Sequence, residues 1–202
     1  MSLLQLPTLV RGLPSPPSAD LDPYLDAAAT CFARYGIQRT SVQDVAQAMR
    51  VNRTTVYRQV GNVESMVRLL AARDLHRLLL DVPKHFGEED GPEAVIALLA
   101  TVVEFARAHP VVAKVLADER ELIGVLLEDY PEAMARLADA VVPLLSAAMG
   151  RGRLARRDPA VLSEWIARIG VTMILAPPSG DAHGFLREIL LPALEPGRRP
   201  TK

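Results

Sequence analysis

The sequence predicts an all-α protein in which a small N-terminal three-helix head precedes a larger helical domain. Three observations carry this prediction. Apolar residues recur at helical spacing in segment after segment, from Leu25 to Leu194. Helix punctuation separates the segments, with Asp22-Pro23, Gly36, Asn52, Pro92, His109-Pro110, Pro131, Gly150 and Pro159 standing where helices start or stop. Near residue 50, two short periodic segments follow one another so closely that their helices must cross steeply. With 202 residues, 50% of them hydrophobic, the chain can bury a sizeable core and hold both units.

Residues 1–19, MSLLQLPTLVRGLPSPPSA, read as a disordered arm. Pro7 and Arg11 interrupt its leucines, and it lacks the basic start of a signal peptide. A loose tail is the reading preferred over one in which Arg11 reaches a phosphate. The head is expected over 20–66. Its first helix opens at Asp22-Pro23, gathers Leu25, Ala28, Ala29 and Phe32 on one face, and ends at Gly36. A second helix carries Val42, Val45, Ala46 and Met49 on one face, and Thr40 with Gln43 has the form of a capping box at its start. After a bend at Arg50-Val51, Asn52 caps a third helix, with Val51 and Val56 at the two positions of a hydrophobic staple. Val56 and Val60 can face the second helix, which leaves Arg53, Thr54, Thr55, Tyr57 and Arg58 to project. A longer helix from Val63 to Leu80 then leads out of the head.

The second domain is expected over 67–202. Residues 81–92 read as an exposed loop, and the acidic run Glu88-Glu89-Asp90 lacks the glycine and ligand spacing of a calcium site. Helices follow at Pro92–Ala108, Val111–Ala117 and Asp118–Leu127, then from Pro131 through Ala148 with a kink at Pro143. The basic cluster from Arg151 to Arg157 reads as a solvated loop. The last two helices, Pro159–Ala176 and Ala182–Leu194, are apolar over more than a narrow stripe, the pattern of a helix buried on two sides. One side is covered by the chain's own core, and the other needs a partner. No uninterrupted apolar stretch reaches 18 residues, so no membrane contact is expected.

The chemistry concentrates in the third helix. Arginine holds guanine or phosphate, threonine bonds phosphate and touches a thymine methyl, and a tyrosine hydroxyl suits a phosphate oxygen. Arg50, Arg53 and Arg58 with no acid between Asp44 and Glu64 make a local charge of +3 in a chain whose formal net charge is −1. Nucleic acid would therefore be met by a local patch, not by bulk charge. Catalysis finds no support: the four histidines lack metal-ligand spacing, and neither a nucleophile elbow nor a glycine-rich phosphate loop occurs. No metal or cofactor is expected. The single cysteine, Cys31, forms no internal disulfide and reads as a packing residue suited to a reducing, cytoplasmic setting.

At these residues the chain resembles the DNA-binding domain of TetR-family transcriptional regulators. The resemblance spans about Tyr24 to Leu70. It rests on Ala28-Ala29, Phe32 and Tyr35-Gly36, on the phrase Thr-Val-Tyr-Arg ending at Arg58, and on Gly61-Asn62-Val63-Glu64-Ser65-Met66. Arg50 stands where the family usually has glycine, Val60 where an aromatic is common and Val63 where lysine is frequent. In the left-handed conformation such turns use, Arg50 costs roughly 1 kcal/mol relative to glycine. With Thr40 and Ser41 before the second helix and Asn62 before the fourth, the expected DNA-binding set is Thr40, Ser41, Arg53, Thr54, Thr55, Tyr57, Arg58 and Asn62.

The resemblance implies a homodimer joined through the last two helices, with small residues such as Ala167 and Gly170 permitting close approach. One short reading helix offers few base contacts, and two on a twofold axis read a palindromic operator. The implied function is a repressor released by a small, mainly apolar effector. Candidate pocket residues are Phe105, Leu116, Leu126, Met134, Leu137, Trp165 and Met173, each of which core packing also explains. The competing function is a helical ligand-binding or adaptor protein whose head contacts protein instead of DNA.

Overall fold

The computed structural model describes residues 16–85, 91–122 and 130–196, with 79–85, 130–134, 136, 137 and 140 described by backbone alone. Residues 1–15 of the expected arm lie outside the described residues. The rest of it ends at Ser18, whose hydroxyl accepts the Asp20 amide and caps a 3₁₀ turn over Ala19–Leu21. Nine α-helices are assigned among the described residues. They are α1 (Asp22–Tyr35), α2 (Val42–Met49), α3 (Arg53–Val60), α4 (Val63–His85), α5 (Pro92–Ala108), α6 (Pro110–Asp118), α7 (Tyr130–Gly150), α8 (Pro159–Leu175) and α9 (Ala182–Leu194). The all-α expectation holds, and no strand occurs among the described residues.

The helix ends differ from the sequence reading in four places. Asp22 is the first residue of α1, not its cap, because the 3₁₀ turn delivers the chain already helical at Leu21. The capping box on α2 is Ser41 with Asp44, not Thr40 with Gln43. The long helix α4 continues past Pro83 to His85, five residues beyond the expected end, since a proline forfeits one backbone hydrogen bond without necessarily ending the helix. The helix expected over Asp118–Leu127 is not continuous with Asp118: Glu119 closes α6, and residues 123–129 lie outside the described residues.

The described residues form two compact units. The first takes in 16–77, 106–122 and Tyr130, so the head's neighbours include α6 from much later in the sequence. Its core is Leu25, Ala28, Cys31 and Phe32 of α1, Val42, Val45 and Ala46 of α2, Val56 and Val60 of α3, Met66 and Leu70 of α4, and Val111 of α6. Burial pushes the Cys31 thiol pKa up, as expected of a packing cysteine.

Among the described residues, the second unit comprises 78–85, 91–105 and 131–196. The apolar core of this unit is aliphatic and methionine, with Ile96, Leu99 and Val103 of α5, Leu145 and Met149 of α7, Leu162, Ile166 and Met173 of α8, and Leu186, Leu190 and Leu194 of α9. The Ser163 hydroxyl donates to the Ala138 carbonyl at 2.5 Å, a buried polar tie from α8 to α7. Ala167 and Gly170 are both buried within the chain, and a Cβ on Gly170 would lie 3.0 Å from Leu99 Cδ1. Gly170 therefore serves the close approach of α5 to α8 within one chain.

The bend between α2 and α3 is built around Arg50, whose φ of 56° and ψ of 40° place it in the left-handed region. Its amide bonds the Gln47 carbonyl at 3.1 Å and the Val51 amide reaches back to Ala46 at 3.0 Å, the paired closure of a Schellman motif. Val51 stays exposed, so only the Val56 half of the staple is buried. Replacing Arg50 by glycine should stabilise the protein by about 1 kcal/mol, because glycine enters this conformation without a Cβ clash. A urea titration should show a higher midpoint with an unchanged slope.

Candidate nucleic-acid interface

Three caps set the geometry of the head. Ser41 Oγ accepts the Asp44 amide at 3.3 Å, while the Ser41 amide donates to Asp44 Oδ2 at 2.7 Å, so α2 starts with both groups satisfied. Hydrogen bonds from Ser41 hold the Asp44 carboxyl below its ordinary pKa. Asn52 Oδ1 accepts the Thr54 amide at 2.9 Å and starts α3. Asn62 Oδ1 accepts the Ser65 amide at 2.8 Å and starts α4, after Gly61 at φ 74° has ended α3.

Between those caps α3 is strictly two-faced. Val56 and Val60 are buried, whereas Arg53, Thr54, Tyr57, Arg58 and Gln59 are exposed, Thr55 is half-buried, and Tyr57 keeps 59% of its surface in solvent. Arg50 is exposed at the bend. The first acid beyond this stretch, Glu64, is paired with Arg68 at 2.6 Å, and no carboxylate lies between Asp44 and Glu64 to offset the positive charge of the outer face.

Thr40 does not join this face. It is buried, and its hydroxyl donates to the Gly36 carbonyl at 2.6 Å, which holds the α1–α2 loop closed and removes it from the expected contact set. Ser41 is exposed, but its hydroxyl is engaged in the cap, donating to Asp44 Oδ2 at 2.6 Å. Asn62 is likewise exposed and engaged as a cap.

Comparison with known proteins bears on this head directly. A family model for bacterial regulatory proteins of the tetR family matches residues 25–70, the stretch from α1 to the early turns of α4. An uncharacterized HTH-type transcriptional regulator of Mycobacterium bovis is 25% identical over 155 residues, covering 77% of this chain and 76% of the relative. The matches support a TetR-family regulator, and residues 25–70 carry the head that the family model describes. Two solved structures share the fold of the regulator across both units. Salmonella enterica GusR aligns with a TM-score of 0.65 at 18% identity, covering 95% of this chain and 97% of that one. The fatty acid degradation regulator FadR from Bacillus halodurans aligns with a TM-score of 0.63 at 17% identity, covering 91% and 98%. Regulators of this family bind DNA and act as dimers.

The expected pocket residues of the regulator are described only in part. Met173 is buried in the aliphatic core of the second unit, whereas Phe105 and Trp165 are each more than one-third exposed. Leu116 is half-buried in the first unit. Leu126 lies outside the described residues, as do the side chains of Met134 and Leu137. Trp165 shares its outer face of α8 with the exposed Val161 and Leu175, and Phe185 and Ile189 form a similar exposed stripe on α9. An open cleft of about 460 Å³ in the first unit is lined by Ala29, Thr30, Ala33, Arg34, His109, Pro110 and Val111, none of them in the expected set.

Sequence reasoning also missed a polar network in the first unit. Arg73 of α4 is buried and bonds Asp26 of α1 at 2.7 Å and its neighbour Asp74 at 2.9 Å, while Arg77 bonds Asp22 at 2.8 Å. Asp74 in turn meets His109 Nε2 at 3.0 Å, so α1, α4 and the start of α6 are tied through one set of charges. Burial alone would raise the Asp74 pKa, but hydrogen bonds and charge from His109 and Arg73 outweigh it and hold the carboxyl below its ordinary value. No sequence signal marked these partners, because Asp26 and Arg73 are 47 residues apart.

Two outcomes follow for stability. Arg73→Met should cost about 3 kcal/mol in chemical denaturation, since it strands Asp74 without its cation in a poorly hydrated site. The depressed Asp74 pKa means its stabilisation is fully present above the unfolded value of about 3.9 and is lost as pH falls through the lower folded value. Asp74→Asn should therefore show a shallower loss of stability below about pH 4 than the parent.

Proposed function

We propose that this regulator is a cytoplasmic repressor that inserts α3 into the major groove of a palindromic operator as a homodimer, and that a small, mainly apolar effector releases it. The observation that carries the reading is the two-faced α3, with Val56 and Val60 anchoring it inward while Arg53, Tyr57 and Arg58 stand outward on a stretch free of acids. Arg53 and Thr54, on the first turn, are assigned to base edges, the part of a recognition helix that reaches deepest. Thr55, Tyr57 and Arg58 are assigned to phosphates on either side, with the exposed starts of α2 and α4 at Ser41 and Asn62 offering amides to the backbone. Thr40 has no place in this set.

The homodimer is assigned to α8 and α9. Val161, Trp165 and Leu175 on one helix and Phe185 and Ile189 on the next remain exposed in the single chain, and such a paired apolar face calls for a cover. A twofold copy supplies it and places two reading helices on one duplex. The effector is assigned to the second unit, whose aliphatic core favours an apolar molecule over a charged one. Release follows from differential affinity, with the effector binding more tightly to a conformation whose heads are wrongly spaced.

Selection of bound fragments from genomic DNA should return a palindrome, and affinity for it should fall steeply with salt. Arg53→Ala should cost about 1–3 kcal/mol and relax discrimination at one base position per half-site. Affinity insensitive to ionic strength would instead indicate a protein-binding head. In sedimentation the free regulator should run at twice the chain mass of 22.0 kDa at micromolar concentration, and a species of single chain mass alone would refute the homodimer.

A further inference from the structure

Glu119 is a buried carboxylate that closes α6, and neither base nor phosphate recognition calls on it. Its Oε2 accepts the Ile37 amide at 2.7 Å and its Oε1 accepts the Gln38 amide at 2.9 Å, so one side chain grips two successive N–H groups from 82 and 81 residues away. Both bonds are charge-assisted and part-buried, the setting in which such bonds are strongest.

The loop it grips is shaped for it. Gly36 sits at φ 91°, and a Cβ there would lie 2.4 Å from Glu119 Oε1 and 2.6 Å from its carboxyl carbon. Only the missing side chain lets the carboxylate reach the two amides. The Thr40 hydroxyl closes the same loop onto the Gly36 carbonyl, and the next residue, Ser41, caps α2. The Glu119 carboxylate thus fixes the backbone from which the reading pair α2–α3 departs.

We propose that Glu119 is a positioning residue for operator recognition, a latch through which α6 holds the α1–α2 loop in the arrangement that α3 needs for reading. This rests on the DNA-binding reading above. Hydrogen bonds at 2.7 and 2.9 Å are lost within about 1 Å of displacement, so the grip is made or broken over a small shift of α6.

The test uses the full-length chain, Glu119→Gln, Gly36→Ala and the double variant. Glutamine can accept from one amide but turns its own NH₂ toward the other. In the DNA-free protein, amide exchange at Ile37 and Gln38 should accelerate about tenfold in Glu119→Gln, while amides of the head core near Leu25 keep their rates. Operator affinity should fall about tenfold with an unchanged salt slope, because no phosphate contact is removed. Gly36→Ala should act in the same direction, and the double variant should lose little beyond either single one, since both break one contact. Unchanged exchange or affinity in a folded Glu119→Gln variant overturns the latch, as do fully additive losses. Should that variant not fold, Gly36→Ala decides by the same two readouts. A parent chain that binds no duplex refutes the DNA-binding reading and the positioning role with it, while the exchange measurement still decides whether the carboxylate holds the loop.

Discussion

The structure of the head depends on one constraint, the left-handed backbone of Arg50. Between α2 and α3 there are three residues, Arg50 to Asn52, and in that length the chain must end one helix, turn and start another. The Schellman closure and the Asn52 cap satisfy the loose backbone groups at this junction, and the buried valines on each side lock the crossing. With α3 anchored by Val56 and Val60, its remaining faces have nowhere to go but solvent. The display of Arg53, Tyr57 and Arg58 is thus a packing consequence before it is a recognition device.

That display also settles how a chain of formal charge −1 can address a polyanion. Several acids elsewhere are committed. Asp22, Asp26 and Asp74 surround Arg73 and Arg77, Glu64 faces Arg68, and Glu119 is spent on backbone amides. The arginines at the bend and on α3 have no carboxylate in their stretch of sequence to neutralise them. Attraction to phosphate over a distance of about 8–10 Å at physiological salt depends on this local arrangement more than on net charge.

Much of the fold was legible because helix starts and stops are written locally. Asn52, Gly36, Pro92, Pro110 and Pro159 each sit at a helix end, and the periodic valines and leucines identify the buried faces. The capping box was misplaced by one residue because Thr40 and Ser41 are both competent caps. Only the loop's tertiary closure, which draws the Thr40 hydroxyl inward, decides between them. Small residues were ambiguous in the same way. Gly170 permits close approach, but nothing in the sequence says whether the approaching helix is α5 or a second copy. Trp165 illustrates the converse, since an aromatic on an apolar helix can line a core or lie exposed, and its place beside Val161 follows from which face α5 and α7 occupy.

The contacts that could not be read are the long-range polar ones, and they share a location. Arg73 with Asp26, His109 with Asp74, and Glu119 with Ile37 and Gln38 tie α1 and the loop after it, α4 and α6 to one another within the same compact unit. Apolar contacts between these helices tolerate small sliding, because dispersion energy falls off gradually and has no preferred direction. Directional bonds do not. A paired carboxylate or a buried guanidinium is satisfied in one arrangement and stranded in a neighbouring one, which converts a graded movement into a choice between states. Three such ties between α1, α4 and α6 therefore give the head a defined resting orientation. Their number is small enough that a binding event supplying a few kcal/mol of differential affinity could tip it to another.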